Sequence, residues 1–310
     1  MALGTEAPNV FAVNNRIDYS FGLESQTFPY PHVINDLVEF WGEGEAAEFI
    51  EDIRWRIDQV FTDDGYKVLA FNIFRQFAIG EALSHDKSDP MHQQVIVAAR
   101  ASLDRLPDLI ANSYHYRQPL NDYDCLIAFT GAVTHDYLSK SEDGTSALGN
   151  VPKVEQELAN LGCSDVFVRN VSELVLATDY QNAANNWIYW VSRGENFAQE
   201  LGDLTINILA TPREYLSNTI QQLAYAQRTS VKRILMQAHV VMADFLGIFT
   251  SGNYFAITDF RYPDEISPPL AMISLVDALD KLTGGSNAPD PWIMQRYNEI
   301  REWRIAQSIL

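Results

Sequence analysis

Ten consecutive residues without a charge, Cys125 to Thr134 in the segment NDYDCLIAFTGAVTHDYL, constrain this chain more than any other feature. Wound as a helix, they point apolar side chains nearly all round, and a helix with no polar face has to be buried on every side. Asn121, ahead of the run, is the expected N-cap. The run then ends on His135-Asp136. A carboxylate at the end of an all-apolar helix is costly to desolvate unless a cation or a hydrogen-bond network compensates it. The pair is therefore the first place to look for chemistry.

The surroundings of that helix read as helical too. Apolar residues recur at three- and four-residue intervals in VINDLVEFW, AAEFIEDIRWRIDQVF and KVLAFNIFRQFAIGEAL. They do so again in MHQQVIVAARASLDRLPDLIA, where Pro107 is expected to bend or divide the helix. SKSEDGTSALGN reads as a polar loop. Helical patterns resume in VPKVEQELANLG, SDVFVRNVSELVLATDY, NAANNWIYWVSRGENFAQEL and one long segment from Pro212 to Phe249. Strand alternation is confined to short runs such as FAIT. The expected fold class is all-α, in three parts. Residues 1–88 form an N-terminal arm and helices packing on the core, 89–250 a metal-binding helical core, and 251–310 a C-terminal helical extension.

Charge narrows the partners. Lys+Arg 22 against Asp+Glu 41 gives a net −19 over 310 residues. Such a surface repels phosphate backbones, so no polynucleotide partner is expected. An anionic substrate has to be drawn in locally, by a metal ion or a few basic side chains. Cys125 and Cys163 lack metal-ligand or redox spacing and read as small apolar residues in a reducing compartment. The N-terminus MALGTEAPNVFAVNNR has no basic region followed by an apolar one, and no stretch is apolar for the length of a membrane span. A cytoplasmic location and no membrane partner are expected, with a homodimer through the aromatic tail helix PWIMQRYNEIREWRIAQ as a possible assembly.

A His-Asp dipeptide alone is cheap, and His85-Asp86 in a polar loop is a second copy read as surface. What raises His135-Asp136 is company. His92 lies upstream, at the start of the helix HQQVIVAARASL, and Asp203 lies downstream in the apolar segment FAQELGDLTINILATP. His92, His135, Asp136 and Asp203 on separate helices form an N/O ligand set suited to a divalent metal such as Mn, Fe, Zn, Ni or Mg, with positions left open for water and substrate. His239, amid ILMQAHVVMADF, reads as a satisfied core histidine, and the WIYW stretch from Trp187 to Trp190 as packing.

The order His92, His135-Asp136, Asp203 resembles the H…HD…D signature of the HD superfamily. It is similar in particular to the predicted metal-dependent HD phosphohydrolases of the YHN-x-x-H type. Their loop Asn is matched by Asn150, their I-x-A-T segment by LVLATDY, and a further segment by Asp203, Leu204, Ile208, Leu209, Pro212 and Tyr215. The chain departs in its opening, DPMHQQV, and in carrying Asp179 where the family often has a histidine. The resemblance covers residues 90 to 250 and implies an HD-domain-like helical bundle. The activity it implies is hydrolysis of a small phosphomonoester or nucleotide by a metal-activated water. Asp136 and Lys140 are then the catalytic candidates, with Lys140 on the phosphate, and Asp179 and Asn150 support the site or a second metal. The other functions open to such a chain are a catalytically degenerate scaffold or ligand-binding protein and, further off, an HD-type di-iron oxygenase.

Overall fold

The structure, a computed structural model, describes residues 43–84, 94–137, 147–176 and 228–250, together with isolated positions 221, 224, 225, 298 and 302. Seven helices account for almost all of these residues, and no strand occurs among them, so the fold is all-α. They are α1 (Glu43–Val60), α2 (Asp64–Ser84), α3 (Gln94–His115), α4 (Asp122–Thr134), α5 (Ala147–Asn160), α6 (Asp165–Val175) and α7 (Val231–Thr250). No helix among the described residues is long and apolar enough to cross a membrane.

α4 is the buried helix that its composition demands. Every residue from Asp124 to Thr134 is buried, and α2, α3, α6 and α7 surround it. Its start is closed by a full capping box. Asn121 Oδ1 accepts from the Asp124 amide at 3.0 Å, and Asp124 Oδ2 accepts from the Asn121 amide at 3.1 Å. The two hydroxyls inside the helix cost little, because Thr130 Oγ1 and Thr134 Oγ1 donate to the carbonyls of Leu126 and Thr130 at 2.7 and 2.8 Å. Gly131 sets how closely the neighbours approach. A Cβ there would sit 2.9 Å from Val240 Cγ2 and 3.1 Å from Leu174 Cβ.

Side-chain contacts give the helix directions. Lys232 Nζ meets Asp124 Oδ2 at 2.9 Å near the start of α7, Val240 lies on Gly131, and Asp244 reaches His135. α7 therefore runs parallel to α4. α6 does too, since Tyr123 stacks near Phe167 and Gly131 faces Leu174. α3 runs antiparallel to α7, because Ser102 pairs with His239 while Gln118 Oε1 accepts from the Lys232 amide at 3.0 Å. The C-terminal end of α4, residues around Asp244 and the start of α3 consequently share one end of the bundle. α1 and α2 close the remaining sides with Ile53, Ile57, Phe74 and Phe77, all fully buried in the same apolar cluster.

One expectation is narrowed and two need correction. Pro107 does not divide α3, which is continuous from Gln94 to His115; the residue lies on the exposed face, flanked by exposed Asp104 and Asp108. α5 begins at Ala147, inside the stretch read as loop. Asn150 lies on the same buried face as Val154 and Leu158 at four-residue spacing, so the helical face runs upstream into this stretch. The long segment after Pro212 is broken at residues 228–230. Arg228 adopts φ 53, and the amides of Arg228 and Thr229 bond back to the carbonyls of Tyr225 and Ala224 at 3.1 and 2.9 Å, a helix-ending pattern seen without glycine. Ser230 Oγ then accepts from the Arg233 amide at 3.1 Å and starts α7.

Candidate metal centre

His135 is the C-cap of α4, in right-handed helical backbone, and Asp136 and Tyr137 continue the turn beyond it. The unpaired carbonyls at this helix end make it the negative pole of the helix, which favours a cation nearby. His135 Nδ1 lies 2.7 Å from the carbonyl oxygen of Ala132. A carbonyl can only accept, so Nδ1 carries the hydrogen and Nε2 is directed the other way. Metal-bound histidines are commonly held by this kind of backbone bond.

Nε2 faces two carboxylates. Asp244 Oδ1, from α7, is 3.1 Å away and Asp136 Oδ2 is 3.5 Å away. The three residues can each offer one ligand atom, and these atoms all lie within 4.8 Å of one another. Donors each about 2.1 Å from one ion, at tetrahedral or octahedral angles, stand roughly 3.0 to 3.4 Å apart; the 3.1 and 3.5 Å separations from Nε2 lie close to that range, which is also that of a direct imidazolium–carboxylate pair. The chemistry of the set agrees, one imidazole nitrogen with two carboxylate oxygens. Asp244 adds a further sign. Its buried Oδ1 has the His135 ring as charge partner, 3.1 Å from Nε2, so this carboxylate is tied to whatever cation that nitrogen carries.

Burial by itself disfavours the His135 imidazolium, but the negative charges of Asp244 and Asp136 outweigh it and hold the pKa well above 6.5. The pocket of negative charge thus retains a cation at this nitrogen, whether a proton or a metal. His135 and Asp244 are sealed from solvent, whereas the Asp136 side chain is 26% exposed, so the approach to the centre is from the Asp136 side.

Of the residues singled out by sequence, the structure brings His135 and Asp136 together. Asn150 sits in the first turn of α5, 1% exposed, with neither its amide oxygen nor its amide nitrogen hydrogen-bonded. His92, Lys140, Asp179 and Asp203 lie outside the described residues, as do His85-Asp86 and the Trp187–Trp190 stretch. The residue missed by sequence reasoning is Asp244. Its signal was present: a single carboxylate within the apolar run ILMQAHVVMADFLGIF, the same criterion that marks Asp136. His239 proves only half satisfied, with Nε2 2.8 Å from Ser102 Oγ and Nδ1 buried without a partner. The cysteines are unpaired, and burial pushes the thiols of Cys125 and Cys163 up to about 12 and about 11, which leaves both protonated and unreactive.

No known protein family, curated protein or solved structure matches this chain.

Proposed function

We propose that this protein is a metal-dependent phosphohydrolase of the HD type, acting on a small phosphomonoester or nucleotide, with His135, Asp136 and Asp244 holding the cation. The observation that carries the reading is the Nε2 atom of His135 set between two carboxylates, one of them sealed inside the bundle. Three protein ligands leave coordination positions for water and substrate. A bound divalent ion supplies an activated water and polarises a phosphoryl oxygen. Asp136, the ligand open to solvent, is then the carboxylate beside the incoming substrate, while His135 and Asp244 hold their places from inside the bundle. His92 belongs to the same proposal as a fourth ligand, being the first histidine in the H…HD order of the sequence. Lys140, four residues beyond Asp136, is the proposed phosphate contact.

The test is metal content by mass spectrometry on untagged protein, followed by a phosphoester panel with the metal found. About one Mn, Fe, Zn or Ni per chain, lost in Asp136→Ala and Asp244→Ala with the helical circular dichroism retained, supports the centre. Phosphate release that disappears in the same variants supports the reaction. A protein that neither carries metal nor takes up Mn or Fe on titration refutes the reading.

A further inference from the structure

The turn that carries His135 and Asp136 ends on Tyr137, and Tyr137 occupies a notch in α2. Its side chain is buried, and its ring meets Phe77 edge-on at 4.6 Å between centroids. The notch exists because residue 80 is glycine. A Cβ at Gly80 would stand 2.2 Å from the Tyr137 hydroxyl oxygen and 2.8 and 2.9 Å from Cε2 and Cζ of its ring. Glycine inside a helix costs about 1 kcal/mol relative to alanine, so its presence in the last turns of α2 favours seating this ring over helix propensity. The backbone at Tyr137 is tied as well, its amide donating to the Thr134 carbonyl at 3.2 Å.

We propose that Tyr137, locked in the Gly80 notch, is a positioning residue that fixes the turn at His135 and Asp136 in its metal-binding geometry. The proposal rests on the metal-centre reading for its consequence, though the lock itself can be measured without metal. The argument is mechanical. His135 already has its ring held by the Ala132 carbonyl, and Asp244 is held by α7. Asp136 is followed directly by Tyr137, the residue pinned to α2. Displacing the ring of Tyr137 displaces the carbonyl and Cα that follow Asp136, and with them the 3.5 Å approach of its carboxylate to Nε2.

The experiment uses the untagged full chain with Co²⁺ as the probe, read by its visible spectrum, and amide hydrogen exchange over residues 134–137. Gly80→Ala is expected to weaken Co²⁺ binding by about ten- to a hundredfold, the range for groups that orient a ligand, and to speed exchange in the turn. Gly80→Ala combined with Tyr137→Phe removes the closest clash and is expected to recover part of both. Gly162→Ala, at a φ of 74 where alanine is strained, is the stability control and is expected to leave both readouts unchanged. Tyr137→Leu empties the notch from the other side and serves should Gly80→Ala fail to fold. Native Co²⁺ affinity and native exchange in these variants would overturn the proposal. A wild-type chain that takes up no Co²⁺ refutes the metal reading alone; exchange in the turn then decides the lock, faster in Gly80→Ala if it stands and unchanged if it does not.

Discussion

The two ends of α4 use the same residue types to opposite effect. At the start, three acidic or amide side chains are fully matched. Asn121 and Asp124 cap each other, and Asp124 also holds Lys232 at 2.9 Å. Asp122 Oδ2 accepts from the Thr62 amide, the Thr62 hydroxyl and the Asp63 amide, each at 2.8 Å. At the far end, His135 stands between the carboxylates of Asp136 and Asp244, and both negative charges converge on one ring nitrogen. The polar groups at the start of α4 are satisfied within the fold, whereas two carboxylates around one imidazole at its far end are more negative charge than the single proton on that ring offsets.

Substitutions at the two ends separate these roles. The largest effect is expected from Asp244→Asn, which keeps the volume and removes the charge. Metal affinity should fall at least about a hundredfold, a difference of about 3 kcal/mol, and the metal-free protein should also melt lower, because the buried His135 ring loses its ion-pair partner. Calorimetric titration and metal-free melting check the two halves. At the other end Asp124→Ala should act on stability alone, lowering unfolding free energy by about 2 kcal/mol through the lost cap and ion pair and leaving metal affinity unchanged. Equal losses of metal binding from both variants would erase the distinction between the ends.

Between the ends, α7 carries a half-satisfied group. Burial, helped by the nearby charge of Arg105, holds the His239 pKa down at about 3. A depressed folded-state pKa means that the unfolded chain binds the extra proton. This contribution is therefore fully present above the unfolded value near 6.5 and is lost as pH falls toward about 3. In urea unfolding, wild type should lose about 2 kcal/mol relative to His239→Gln between pH 7.5 and 5. A parallel pH profile for the two proteins would assign acid sensitivity to other groups. The smallest effect is expected at Asn150. Asn150→Leu replaces an unpartnered buried amide by an apolar group of similar shape and should stabilise the chain by up to about 1 kcal/mol. Reduced phosphoester turnover in the same variant would place Asn150 with the functional end of α4 rather than the structural one.

Much of the fold was legible in one dimension because it depends on local periodicity and on what a helix without a polar face requires. The uncharged run from Cys125 to Thr134 dictated a central helix, Asn121 its cap, and the three- and four-residue recurrence elsewhere an all-α shell. His135 and Asp136 were legible for the same reason, as charge placed where burial penalises it. The third member of the centre was not. Asp244 interrupts an apolar segment as Asp136 does, and recognising its place requires knowing that α7 lies parallel to α4 and in what register. That register is set by contacts more than a hundred residues apart in sequence, Lys232 on Asp124 and Val240 on Gly131, which carry Asp244 to His135. The Gly80 notch was hidden likewise, because a glycine inside a helix signals close approach only once the ring that fills the space is known. Sequence determined which groups would be costly to bury; tertiary structure decided which of them share the cost, because only long-range packing sets the distances over which charges interact.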